Sequence, residues 1–142
     1  MYITKGKITQ KFLTLTFKKT LKFKKAGYPG AICTFSGIVR DDKDKSGKKI
    51  NYIEYKCYGS MAKTKMKEIY SAVKKKYAPD YLVMVHGTGK IKAGETSLFI
   101  LVASQHSKQG LNAVKEIVKL IKTTVPIWKK EVFADGSYRW VE

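Results

Sequence analysis

Residues 81–104 read YLVMVHGTGKIKAGETSLFILVAS, and two runs inside that stretch decide the fold. Residues 81–86 and 95–104 are dense in Val, Ile, Leu and Phe and too short for core helices. They predict buried strands. Gly87-Thr88-Gly89 ends the first of them in a turn. A helix follows over residues 107–123, where Leu111, Val114, Ile117, Val118 and Ile121 recur at i, i+3 and i+4 until Pro126 stops it. Residues 60–77 carry the same period through Met61, Met66, Ile69, Tyr70, Val73 and Tyr77, with Gly59-Ser60 at the start.

Working outward, residues 31–40 (AICTFSGIVR) form a further buried strand beyond the Gly27-Tyr28-Pro29-Gly30 break. Gly37 within it marks a bulge or the close approach of another group. Residues 50–58 alternate through Ile50, Tyr52, Tyr55 and Cys57, the pattern of a half-buried strand. These two strands are expected to form a hairpin across residues 41–49, a charged stretch without apolar side chains that resembles a flexible linker. Residues 127–133 and 137–141 make a hairpin around Ala134-Asp135-Gly136. Nearer the start, residues 2–7 and 13–17 read as short strands. Residues 17–25 fit a short helix equally well, through Phe17, Leu21 and Lys24 or Lys25. The expected class is α+β: a single domain over residues 1–142, with mixed and antiparallel sheet and two main helices.

A chain of 142 residues buries roughly 70% of its unfolded surface, so it needs neither disulfide nor metal to fold. Its 29 Lys+Arg outnumber 11 Asp+Glu for a net charge of +18, which draws anions of any kind. Most of that charge is lysine on helix faces, such as Lys63, Lys65, Lys67, Lys74, Lys75 and Lys76, where a solvated surface is explanation enough. Arginine, better suited to forked recognition of phosphate or bases, occurs only at Arg40 and Arg139. Cys33 and Cys57 lack CxxC spacing and read as small core thiols of a reducing compartment. With no N-terminal apolar signal and no run near the ~20 residues of a membrane span, a soluble cytoplasmic protein is expected.

The residues alone nominate little chemistry. His86 and His106 have no acidic or cysteine neighbours at ligand spacing, so no metal site is expected. Neither a GxxxxGK[ST] phosphate loop nor a GxSxG elbow is present, and no cofactor is expected. The unusual segment is KTTVPIWKKE at residues 122–131. Lys122 falls in the last helical turn, where the helix dipole favours a cation, and a capping lysine is a sufficient reading of it. Lys129 neighbours Trp128 on a strand, so the two face opposite ways. If Trp128 is buried, Lys129 points to solvent or into a cleft.

Several motifs together carry more. GAICTFSGIVR at residues 30–40 resembles the GA-V-x-F-x-G-x-VR opening of the molybdopterin synthase large-subunit family. In the same order follow IEY at 53–55 with YGSMA at 58–62, HGTGKI at 86–91 with Gly94-Glu95, SQHS at 104–107, KTTVPIWKKE at 122–131 and RWVE at 139–142. Each resembles the corresponding family segment, and together they run from about Gly30 onward.

The resemblance implies a hammerhead-like α+β fold and a sulfurtransferase of molybdenum cofactor biosynthesis. In that family the thiocarboxylated Gly-Gly tail of a ubiquitin-like small subunit enters a pocket of the large subunit. Its sulfur goes to cyclic pyranopterin monophosphate, building the dithiolene of molybdopterin. Phosphate and thiocarboxylate are both anionic, and acyl transfer develops further charge, so the pocket requires cations. Motif position makes Lys122 the lysine nearest the thiocarboxylate and Lys129 the second catalytic lysine. Arg40 and His106 correspond to residues of the substrate and phosphate site, and Phe35 to one near the tail's entry. Ser107 and Gly87 stand where the family carries arginines, and a basic residue the family has just past Glu142 is not in the sequence. Lys108, Lys90 and Lys130 are the cations placed to compensate, and Lys108 and Lys130 join the expected substrate-binding set. The family pairs two large subunits in a homodimer with a small subunit at each end, a heterotetramer whose sites borrow residues across the interface. Positive charge suits an acidic ubiquitin-like partner and speeds encounter.

Two other readings stay open. A basic α+β RNA-binding module fits the charge together with nine Tyr and six Phe. The aromatics, however, fall mostly on expected core faces, no RNA-binding signature is present, and no specific nucleic-acid partner is expected. A non-catalytic partner of a ubiquitin-like protein fits the fold without the chemistry.

Overall fold

A computed structural model describes residues 2–23 and 27–141; Lys24, Lys25 and Glu142 lie outside them. The elements run β1 (Tyr2–Lys5), α1 (Gln10–Lys22), β2 (Ala31–Ile38), β3 (Ile50–Cys57), α2 (Gly59–Tyr77), β4 (Tyr81–Lys92), β5 (Thr96–Ser104), α3 (Ser107–Thr124), β6 (Ile127–Phe133) and β7 (Tyr138–Val141). The strands form one sheet in the order β2-β5-β4-β3-β6-β7, antiparallel throughout, with β1 added parallel to β4. This is the α+β class expected, with a third helix.

β4 and β5 form its centre. All nine residues of β5 are buried. Leu82, Met84, Leu98, Ile100 and Val102 face Met66, Ile69 and Val73 of α2 and Ala113, Ile117 and Ile121 of α3. The alternate residues Val83, Val85, Phe99 and Leu101 face the other way, onto Ile8 with Phe12 and Leu13 of α1. Covering both faces explains why these strands are continuous apolar runs.

Three expectations change. Residues 13–17 belong to α1, whose first turn is capped by the Thr9 hydroxyl accepting from the Phe12 amide at 3.2 Å. The helical stripe is disguised because its buried positions are Thr16 and Thr20, while Leu15, Phe17 and Leu21 remain exposed. Thr20 satisfies its hydroxyl by donating to the Thr16 carbonyl at 2.8 Å.

β2 and β3, next, are not a hairpin. β2 pairs with β5, and β3 lies between β4 and β6. Their connection is no loose linker either, for Asp44 gathers the Ser46 and Lys48 amides and the Ser46 hydroxyl into a turn. Lastly, β4 does not turn at Gly87-Thr88-Gly89. It runs on to Lys92, and the reversal falls at Gly94, with φ 82°. This extension gives β3 its ladder, from Tyr52↔Lys92 to Tyr55↔Gly89.

Gly87 is required by close approach rather than by a turn. A Cβ there would stand 2.5 Å from the Gly6 carbonyl oxygen and 2.8 Å from Ile91 Cδ1, because β1 crosses at this point and the Gly6 amide donates to the Thr88 carbonyl at 2.7 Å. The arginine of the family motif therefore has no room unless β1 shifts. Gly87→Arg is expected to lower stability by about 1–3 kcal/mol, read as a reduced urea midpoint. An unchanged midpoint would show that β1 yields freely.

Candidate functional site

The end of β2, the C-terminal turn of α3 and the inward face of β3, β6 and β7 enclose a cleft of about 700 Å³. Phe35, Arg40, Tyr55, His86, Lys122 and Lys129 line it. Phe35 lies on β2 opposite Ile100 of β5. Lys122 occupies the last turn of α3, and its Nζ stands 6.0 Å from the Phe35 ring centroid, within cation–π range. Lys129 lies on β6 directly across from Tyr55 of β3 and Val141 of β7.

Alternation along β6 turns Ile127, Lys129 and Glu131 to the cleft and Trp128 and Lys130 away from it. Trp128 is not buried; it is 44% exposed and packs edge-on against Tyr58 with centroids 5.3 Å apart. Lys129 still reaches the cleft, since alternation sets opposite faces whichever of them is covered. Lys130, expected among the substrate-binding residues, instead faces Glu54 at 3.5 Å and the Tyr138 ring at 4.1 Å on the outer side of the sheet. The aromatics are also less confined to the core than expected, with Tyr58, Tyr138 and Trp140 exposed beside Trp128.

Charge in the cleft is uneven. Arg40 pairs with Asp42 at 2.6 Å, and Arg139 Nε donates to Glu131 at 2.6 Å. Lys122 and Lys129 have no carboxylate within 4 Å among the described residues. Two ammonium groups without a carboxylate partner among the described residues thus face one concavity, an arrangement suited to an anionic ligand. Among the described residues no group of three His, Cys, Asp or Glu is placed to hold a metal ion.

The MoaE protein family matches residues 10–124 of the chain. The chain belongs to the MoaE protein family. It is similar to the molybdopterin synthase catalytic subunit of Taeniopygia guttata, 38% identical over 116 residues that cover 81% of this chain and 73% of that protein. The protein of the same name from Staphylococcus aureus (strain N315) is 35% identical over 113 residues, 80% and 74% of the two chains. Against that of Oryza sativa subsp. japonica, at 34% identity, the match spans 80% of this chain and 57% of the longer plant protein. Among solved structures, molybdopterin synthase from Staphylococcus aureus superposes with TM-score 0.82 at 29% identity, covering 99% of this chain and 96% of that one. The complex of subunits 1 and 2 of molybdopterin-converting factor from Helicobacter pylori 26695 shares the fold, with TM-score 0.80 at 22% identity over 99% and 89% of the chains. This MoaE chain is accordingly a sulfur-transferring enzyme of molybdopterin synthesis.

Two expected site residues stand elsewhere in the MoaE fold. His106 is the exposed N-cap of α3 and Lys108 lies in its first turn. At about 1.5 Å per residue, Lys108 is roughly 21 Å along the helix from Lys122, so neither reaches the cleft of its own chain.

The motifs gave no role to His86, which lies on the cleft floor with 5% exposure. Its Nδ1 donates to the Gly87 carbonyl at 2.7 Å, and its ring meets Tyr55 edge-on at 5.2 Å. The Tyr55 hydroxyl donates to Ser97 Oγ at 3.3 Å, which donates to the Gly37 carbonyl at 3.2 Å. Burial raises the Tyr55 pKa and pushes that of His86 down to about 4. For His86 the Gly87 carbonyl opposes the shift and the Lys129 charge adds to it. A histidine closing an otherwise apolar strand was the available signal, and its burial was the part no motif supplied.

The depressed pKa has a measurable consequence. Between its ordinary value of 6.5 and about 4, the unfolded chain binds a proton at His86 that the folded chain refuses, so stability falls as pH is lowered. The protein should be about 2 kcal/mol less stable at pH 5 than at pH 7 through His86, above the range where carboxylates contribute most. Urea midpoints at the two pH values measure it, and His86→Gln should flatten the difference. A wild-type midpoint that does not move would contradict a buried neutral imidazole.

Proposed function

We propose that the cleft takes the thiocarboxylated Gly-Gly tail of a ubiquitin-like small subunit together with cyclic pyranopterin monophosphate, and transfers sulfur from the first to the second. The observation that carries this reading is the convergence of Lys122 and Lys129, both without a carboxylate within 4 Å among the described residues, on one cleft with Phe35 and Arg40. Lys122 holds the thiocarboxylate. When the sulfur attacks a pterin side-chain carbon, the C–S bond forms as that carbon's C–O bond breaks. The oxygen leaves on the opened cyclic phosphate in one transfer and as water in the other, and the acyl group stays attached through sulfur. Water then adds to the carbonyl, and the tail leaves as a carboxylate while sulfur stays on the pterin. The oxyanion of that addition is the charge an adjacent ammonium stabilises. Phe35 packs beside the tail, Lys129 orients and protonates the pterin, and Arg40 at the mouth exchanges Asp42 for phosphate.

Single-domain action over residues 1–142 fits a sheet that joins every strand of the described chain. His106 and Lys108 act on the cleft of a second copy, in a homodimer that binds two small subunits as a heterotetramer. Their position at the far end of α3 from Lys122 supports an assignment across an interface. Both cysteines are free, consistent with a reducing cytoplasm, and no helix among the described residues is long and apolar enough to cross a membrane.

Dithiolene formation from thiocarboxylated small subunit and cyclic pyranopterin monophosphate tests the reading. Lys122→Ala should leave the complex intact by size-exclusion chromatography and cut turnover by about 10²-fold or more. Undiminished turnover would remove Lys122 from the chemistry and favour a binding role alone. Lys108→Ala should raise KM for the pterin, and an unchanged KM would exclude Lys108 from phosphate binding.

A further inference from the structure

The charged side chains that line the cleft are mostly donors. Lys122, Lys129 and Arg40 donate only. Of the cleft's carboxylates, Glu131 is engaged by Arg139 and Asp42 by Arg40 until phosphate takes its place at the mouth, and on the cleft floor the Gly37 carbonyl accepts from Ser97. Cations match a phosphate or thiocarboxylate, but a pterin ring also carries N–H groups, and each needs an acceptor once it leaves water. His86 supplies one. A carbonyl oxygen accepts and never donates, so the bond to the Gly87 carbonyl places the proton on Nδ1 and leaves Nε2 as an acceptor.

Nε2 has no partner among the described residues, yet no fully buried side-chain nitrogen or oxygen there lacks one. Nε2 is therefore not sealed in the core; it opens on the cleft that His86 lines. The ring is held from two sides, by the Gly87 carbonyl and by the edge-on contact with Tyr55. We infer that Nε2 of His86 orients the substrate, accepting a hydrogen bond from a ring N–H of the bound pterin at the cleft floor. This rests on the cleft being the pterin site. Burial and the nearby Lys129 charge keep the imidazole neutral at physiological pH, so the lone pair is available.

The test compares two isosteres. Asparagine can keep the donation to the Gly87 carbonyl but has nothing at the ε position, whereas glutamine extends an amide oxygen to it. Cyclic pyranopterin monophosphate is titrated into each protein and followed by pterin fluorescence. His86→Asn should bind about tenfold more weakly, and His86→Gln should recover to within about threefold of wild type. In ¹⁵N spectra of the wild type, Nε2 of His86 should move upfield on pterin saturation while Nδ1 stays in place. An unshifted Nε2 overturns the assignment whatever the variants do, as does folded His86→Asn that binds as tightly as wild type. Wild-type protein that binds no pterin would instead bring down the reading of the cleft itself, and this assignment with it.

Discussion

Pairing of β4 with β5 is the constraint on which the other elements depend. From Tyr81↔Ala103 to His86↔Leu98 the two strands are locked in one antiparallel register, with apolar side chains on both faces. A slip of one residue would exchange the side chains meeting α2 and α3 for those meeting α1. That register places Ile100 beside Phe35 on β2 and orders the α3 contact through Ile117 and Ile121. Lys122 follows Ile121 directly, so the position of the cleft's first ammonium descends from how α3 seats on β5.

Past His86, β4 changes partner. Its first half serves β5 and its second serves β3, with β1 alongside the junction. The cleft opens where this exchange occurs, and His86 stands at it. β3 and β6 then carry Tyr55 and Lys129 to the same spot in direct register. Residues separated by most of the chain meet there because one strand is long enough to belong to two ladders, with Gly87 small enough to let β1 pass.

The electrostatics of the cleft follow from pairing more than from net charge. Most lysines lie on solvated faces, where a surface ion pair contributes at most about 1 kcal/mol. Asp42 and Glu131, the carboxylates that line the cleft among the described residues, are occupied by the chain's two arginines, which leaves Lys122 and Lys129 without a carboxylate partner among those residues. The scarcity of arginine thus has a structural counterpart: Arg40 and Arg139 hold the acids at the cleft, and the lysines are left to meet an anion.

Sequence by itself determined what depends on neighbours along the chain. The periods of residues 60–77 and 107–123, the buried runs at 81–86 and 95–104 and the final hairpin were legible because helical and strand spacing show directly in the order of side chains. The ordered motifs around Phe35, Arg40, Lys122 and Lys129 pointed to a family for the same reason. Tertiary structure decided strand partners, as where β2 chose β5 over its neighbour β3, and it decided which face of β6 meets the cleft. It separated Lys130, His106 and Lys108 from Lys122, and it brought in His86, which no motif assigned. Strand pairing and burial are set by surfaces far apart in sequence, and local periodicity holds no record of them.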